Sequence, residues 1–142
     1  MKLWVKIALF AVLIIVITAI WIGLHMFNLK HTDTAKAKPD FVITATVLQK
    51  EFEDNEGTAS SKYINKIIEV NGTIASVTLA DSTHLNIALK TRSDKSTVIC
   101  TFQNITDPSK YKSGEEITLR GECSGFLMDV LLKNCAIVVK RK

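Results

Sequence analysis

Residues 67–77 read IIEVNGTIASV, an apolar alternation with a single glycine, Gly72, set in its middle. Alternation of this kind describes a half-buried β-strand. Its length and central glycine suit the first strand of a five-stranded Greek-key barrel, which must curl through both sheets of the barrel wall. A residue without Cβ relaxes the crowding at that corner. An ordinary strand break at Gly72 is the alternative. Downstream, Thr83–Leu89, Thr97–Phe102, Glu116–Ser124 and Asp129–Val139 read as four more short strands, separated by turn-rich pieces at 80–82, 92–95 and 113–115. The longer non-strand connection falls between the third and fourth strands, as a small barrel requires. Leu85, Ile87, Leu89, Val98, Cys100, Phe102, Ile117 and Leu119 are the alternating positions expected to fill the interior.

Upstream of the strands, ATVLQKEFEDNEGTASSKY follows Thr44 with Val47, Leu48 and Phe52 at helical spacings, and Gly57 is expected to break this helix before a last turn into Tyr63. Residues 28–40, NLKHTDTAKAKPD, are polar and aperiodic and read as a linker. Before them lies IALFAVLIIVITAIWIGLHMF, residues 7–27, with Thr18 and His25 its only polar side chains and Lys2 and Lys6 ahead of it. Twenty-one helical residues rise about 31 Å, enough to cross a hydrocarbon core of about 30 Å. A cleavable signal peptide has a shorter apolar run with a small-residue site soon after it. The nearest such site, Ala35-Lys36-Ala37, is far beyond the run, and no cysteine lies near residue 20 to take a lipid. The expected organisation is therefore an uncleaved signal-anchor at 1–27, a linker at 28–40 and a helix-plus-barrel domain at 41–142. Trp4 and Trp21 are candidate interfacial anchors. Flanking positive charge is balanced, so the positive-inside rule does not orient the helix. The short basic start resembles an export signal and favours a barrel outside the cytoplasm.

The chain of 142 residues carries a net charge of +4 and 47% hydrophobic residues, enough for one domain with an appendage. Two Lys and no acid lie in the first 27 residues, so the remainder carries only +2. Such a charge does not describe a strongly basic nucleic-acid binder.

The domain also resembles the tRNA_anti-like family, bacterial OB-fold domains of largely unassigned function. The resemblance is carried by Phe52-x-x-Asn55-Glu56-x-x-Ala59, then Tyr63-x-x-Lys66-x-Ile68-x-Val70-x-Gly72, Cys100-x-Phe102, and Lys112-x-Gly114-Glu115. It continues through Gly121-x-Cys123-Ser124-Gly125-Phe126-x-x-Asp129-Val130-x-Leu132-x-x-Cys135, with Asn65 standing where a glycine is expected. It implies a mainly β OB fold with a preceding helix, often exported or membrane-anchored, and neither a reaction nor an established ligand.

Candidate sites are sparse. Cys100, Cys123 and Cys135 lie 23 and 12 residues apart, without C-x-x-C spacing or a nearby His, which argues against zinc. With the third strand beside the fifth, Cys100 and Cys135 are the better-placed pair for a disulfide. Three buried free thiols are the alternative. For Cys135 to point inward, a bulge is needed near Lys133-Asn134. His25, His31 and His84 are scattered, and Glu51, Glu53, Asp54 and Glu56 read as a solvated helix face. No triad, metal set or phosphate loop is present in the sequence, so neither enzymatic activity nor a cofactor is expected. The outward positions of strands two and three, His84, Asn86, Ala88, Thr97, Ile99 and Thr101, include no aromatic residue for base stacking. The loop between strands four and five contains Phe126-Leu127-Met128, which either plug one end of the barrel or form a binding loop. The expectation is a single-pass protein of a bacterial inner membrane with an extracytoplasmic, non-enzymatic binding module. Its expected partners are the membrane and an envelope protein or peptide. The alternative is a nucleic-acid-binding module facing the cytoplasm.

Overall fold

A computed structural model describes residues 1–27, 33–104 and 107–141. The chain forms two separate units, Met1–His31 and Thr32–Lys142. The first is helix α1, Leu3–Phe27, which is long and apolar enough to cross a membrane and buries none of its apolar window within the chain. A helix apolar on all sides needs surroundings as apolar as itself. Its polar exceptions are answered locally: the Thr18 hydroxyl donates to the Ile14 and Ile15 carbonyls at 3.0 and 2.9 Å, and the Trp21 ring stacks on His25.

The second unit contains β1 (Phe41–Thr44), α2 (Ala45–Asp54), α3 (Glu56–Tyr63), β2 (Ile67–Leu79), β3 (His84–Leu89), β4 (Val98–Gln103), β5 (Glu116–Leu127) and β6 (Asp129–Arg141). Strands β2 to β6 close a five-stranded barrel in the order β2-β3-β4-β6-β5, with β5 returning to β2. The β4–β6 pairing is parallel and the other barrel pairings are antiparallel. This is the expected OB arrangement, with the third barrel strand beside the fifth and the fifth beside the fourth. The interior positions named from alternation are all buried.

The long strand β2 is continuous through Gly72. Its first half pairs with β5, from Ile67 opposite Glu122 to Thr73 opposite Glu116. From Ile74 its other edge passes to β3, with a bulge between Ile74 and Ser76. Gly72 sits at this hand-over, where an added Cβ would come within 3.1 Å of the Ala45 Cβ and 3.3 Å of Leu89. The glycine therefore also admits the first residue of α2 against the wall, a contact that strand periodicity does not reveal.

Helices α2 and α3 stand where a helix broken at Gly57 is expected. The break falls at Asn55, not Gly57: Asn55 is extended (φ −159°) and its side chain accepts the Thr58 N–H at 3.0 Å, capping α3. An Asn cap sets a helix start more strongly than a glycine at the second helical position weakens the helix. Leu48, Phe52, Ala59 and Tyr63 are buried against the barrel, whereas Val47 is largely exposed. Strand β1 was not legible; it adds four residues in parallel to β2, from Phe41 opposite Ile68 to Thr44 opposite Asn71.

Residues 28–32 of the expected linker lie outside the described residues. From Asp33 onward that stretch is bonded to the barrel. The buried Thr34 hydroxyl donates to the Asn134 carbonyl. Arg120 Nη1 donates to the Ala35 and Ala37 carbonyls at 3.2 and 2.7 Å, while its Nη2 and Nε donate to Glu69 Oε2 at 2.6 and 3.2 Å. The Asp40 carboxylate accepts the Ile67 N–H at 2.9 Å, and the Asp40 N–H donates to the Ile67 carbonyl at 2.8 Å.

Candidate binding sites

Cys100 on β4 and Cys135 on β6 come together inside the barrel. Residue 135 turns inward because Asn134, in the left-handed region at φ 51°, forms a bulge that shifts the β5–β6 register between Arg120 and Glu122. Gly121 makes the room: a Cβ there would approach the Cys135 Sγ to 2.6 Å. Burial pushes the Cys100 thiol well above its ordinary pKa, and the neighbouring Cys135 adds to the effect. Burial likewise raises Cys123. All three are buried free thiols in this structure. The juxtaposition makes Cys100–Cys135 the expected bridge in an oxidising compartment, and the test is a thiol count. Protein isolated from its native compartment, then denatured without reductant, should show one reactive thiol, that of Cys123; a count of three would remove the bridge.

The Phe126-Leu127-Met128 run divides. Strand β5 extends through Leu127, so Phe126 and Leu127 point to opposite sides. Phe126 is half-buried and stacks on Phe52 of α2 with ring centroids 5.5 Å apart. Leu127 and Met128 are 78% and 76% exposed, and Met128 makes the reversal at φ 65°. The tip is nonetheless pinned. Ser96 Oγ donates to the Met128 carbonyl at 2.5 Å, and Asp129 accepts the Thr97 N–H at 2.6 Å and the Thr97 hydroxyl at 2.9 Å.

The outer face of β3 and β4 presents His84, Asn86, Ala88, Thr97, Ile99 and Thr101 half-buried, with the Thr101 hydroxyl donating to Asn86 Oδ1 at 2.8 Å. At its edge His84 Nδ1 lies 2.8 Å from Asp81, whose carboxyl is held far below the usual range by the Thr83 N–H and by His84. Two of the helix carboxylates, Glu51 and Asp54, are engaged in pairing. Glu51 accepts from Lys62 at 2.9 Å and from the Tyr63 hydroxyl at 2.8 Å, and its pKa is lowered chiefly by Lys62. Lys50 pairs with Asp54. His31 lies outside the described residues, and His25 lies in α1. Among the described residues no group of three His, Cys, Asp or Glu side chains could hold a metal ion.

A cleft of about 300 Å³ lies between α2 and the β3–β4 loop, lined by Thr46, Gln49 and Glu53 from the helix and by Arg92 and Ser93 from the loop. Gln49 is 2% exposed, and its Nε2 has no hydrogen-bond partner. Leaving a buried amide donor unanswered costs about 1–3 kcal/mol. The sequence reading passed over this residue, although a signal was present: Gln49 is the polar member of the Ala45, Leu48, Gln49, Phe52 stripe that α2 turns toward the barrel. A second cleft, of about 310 Å³, flanks the other side of the same loop and includes Lys90, Asp94 and Thr97.

A model of the tRNA_anti-like family matches residues 1–137. A search of curated proteins returns no match. Among solved structures, a protein from Klebsiella pneumoniae subsp. pneumoniae named a "putative nucleic acid-binding lipoprotein" matches with a TM-score of 0.55 at 21% identity, over 68% of this chain and 91% of that one. The Stn1–Ten1 complex of S. pombe matches with a TM-score of 0.38 at 15% identity, over 51% of this chain and 57% of that one. Asparaginyl-tRNA synthetase of Entamoeba histolytica matches at 0.40 and 10% identity, over 55% of this chain and 22% of that one. At such identities the Klebsiella likeness is one of fold.

Proposed function

Since the chain belongs to the tRNA_anti-like family, we propose that it is a membrane-anchored, non-enzymatic OB-fold binding module whose barrel works outside the cytoplasm of a bacterial cell, on an envelope protein or peptide. The observation that carries this reading is α1, an apolar helix that finds no cover within its own chain and matches the thickness of a bilayer. The barrel supports it with an outer face, β3 and β4, that offers hydroxyl and amide groups and no reactive constellation. A reporter active only after export, fused to Lys142, tests the placement. An active fusion is the expected result, and an inactive one paired with an active cytoplasmic reporter overturns it.

The name of the Klebsiella protein brings a second reading, a nucleic-acid-binding module facing the cytoplasm. Binding single strands relies on aromatic stacking in a basic groove. The β3–β4 face has no aromatic side chain, and its His84 is engaged by Asp81. Fluorescence anisotropy with single-stranded DNA and RNA oligonucleotides should show no saturable binding at physiological salt. Saturable binding lost on substituting β3–β4 residues would establish the second reading instead.

A further inference from the structure

We infer that the hairpin tip between β5 and β6, Leu127 and Met128, inserts into the headgroup and upper acyl layer of a phospholipid bilayer. The inference rests on the membrane-anchored reading and adds a second contact with the bilayer, made by the barrel itself.

The tip is apolar, exposed and fixed in place. Among the described residues of the barrel unit, Leu127 and Met128 are the most exposed large apolar side chains, and they are adjacent. Among the described residues, four non-glycine residues hold φ between 51° and 65°; three are asparagines, which tolerate the left-handed region, and the fourth is Met128. A methionine there carries a backbone cost that asparagine or glycine would lower, and what it adds is an apolar side chain in solvent. The hydrogen bonds from Ser96 and Thr97 to Met128 and Asp129 hold the reversal, so both side chains stay displayed. Apolar side chains displayed together on a fixed tip mark a contact surface.

Area and charge identify what covers it. Two side chains offer only a few hundred Å², whereas each partner in a stable protein interface gives roughly 800 Å². A bilayer requires no matching surface, and with α1 as anchor it is present beside every copy of the barrel, so a small contact suffices. The β3–β4 loop, which pins the tip through Ser96, exposes Lys90, Arg92 and Lys95 against the single acid Asp94. None of these cations has an ion-pair partner among the described residues, and Asp129 spends its carboxylate on Thr97. Glu53, across the cleft from Arg92, is the acid that the contact must leave in water. Apolar residues among the acyl chains with basic side chains at the phosphates form the pattern of an interfacial membrane contact.

The three methionines, Met1, Met26 and Met128, allow a direct test in the full chain, reconstituted in nanodiscs of phosphatidylcholine and phosphatidylglycerol mixed three to one. Methyl-¹³C methionine gives three signals, and Met128→Leu assigns its own by removing it. Met1 and Met26 belong to the two ends of the α1 segment. Phosphatidylcholine carrying a nitroxide high on its acyl chain should remove more than about half of the Met128 signal, while a gadolinium chelate in the water affects it little. Leu127→Ser, a change at an exposed position, should restore most of that signal in the nitroxide discs and admit the chelate. Three outcomes overturn the proposal. The first is a Met128 signal lost to the chelate and kept with the nitroxide lipid. The second is a signal shielded from both probes, which means that protein covers the tip. The third is a nitroxide loss that Leu127→Ser leaves unchanged, which mere closeness to the bilayer would produce. Where Met1 and Met26 respond to the nitroxide lipid and Met128 does not, docking alone falls and the anchor stands. Where none of the three responds, the anchored reading falls with it.

Discussion

Arg120→Ala is expected to destabilise the barrel by about 3 kcal/mol, which lowers the melting temperature of a domain this size by roughly 10 °C. The guanidinium and its partner Glu69 are only 15% and 19% exposed, so removing one leaves a largely desolvated carboxylate without its cation. The same change frees the Ala35 and Ala37 carbonyls. Arg120→Lys should recover only part of the loss, because an ammonium cannot reach Glu69 and two carbonyls from one planar fork. The double variant Arg120→Leu with Glu69→Leu separates the two contributions. If the orphaned Glu69 carries the cost, the double variant regains most of it; if the carbonyl contacts carry it, the double variant stays low. Thermal melts followed by circular dichroism provide the readout. A single variant melting within about 2 °C of the parent would show that the pair behaves as a surface ion pair.

The second large effect is the division of the Phe126-Leu127-Met128 run. Phe126→Ser should cost about 2–3 kcal/mol, less than the loss for a fully buried ring, because Phe126 is half-buried while its partner Phe52 is fully enclosed. Leu127→Ser and Met128→Ser should leave the melting temperature unchanged, because each side chain is more than three-quarters exposed. If either exposed residue contacts a partner, its variant loses that association while keeping its stability. Denaturant melts of the three single variants decide the matter. Equal losses at all three positions would mean that the tip folds inward as a unit.

The barrel was legible because its signal is periodic. Alternation in IIEVNGTIASV and in the later strands identifies which side chains face inward, and closure follows from strand lengths and connections. What was missed lacks such a period. Strand β1 is four residues long and is held by a parallel pairing to β2, a neighbour more than twenty residues away in sequence. Asn55 outranks Gly57 as a helix boundary through one side-chain hydrogen bond, a competition between two reasonable signals. The three apolar residues at 126–128 read as a unit only while the strand is thought to end at Ser124. Once β5 runs through Leu127, alternation itself separates Phe126 from Leu127. The Gln49–Arg92 cleft depends on a loop forty residues downstream of the helix it faces. Half of that signal, a polar residue on the inward stripe of α2, stood in the sequence; its counterpart across the cleft existed only after folding.

The contacts of residues 33–40 bear on mechanical load. Tension arriving along the chain from upstream of Asp33 meets the Thr34 and Arg120 hydrogen bonds first, then Asp40, then the four-residue ladder of β1 on β2. Arg120 belongs to β5 and is braced by Glu69 on β2, so the pull is divided between neighbouring staves of the barrel before it reaches α2. Strands drawn along their own axis resist in shear, with their hydrogen bonds loaded together, whereas a strand peeled from its end yields them one at a time. A tug on the upstream segment must therefore break these contacts before it reaches the helix that closes the barrel around Phe52.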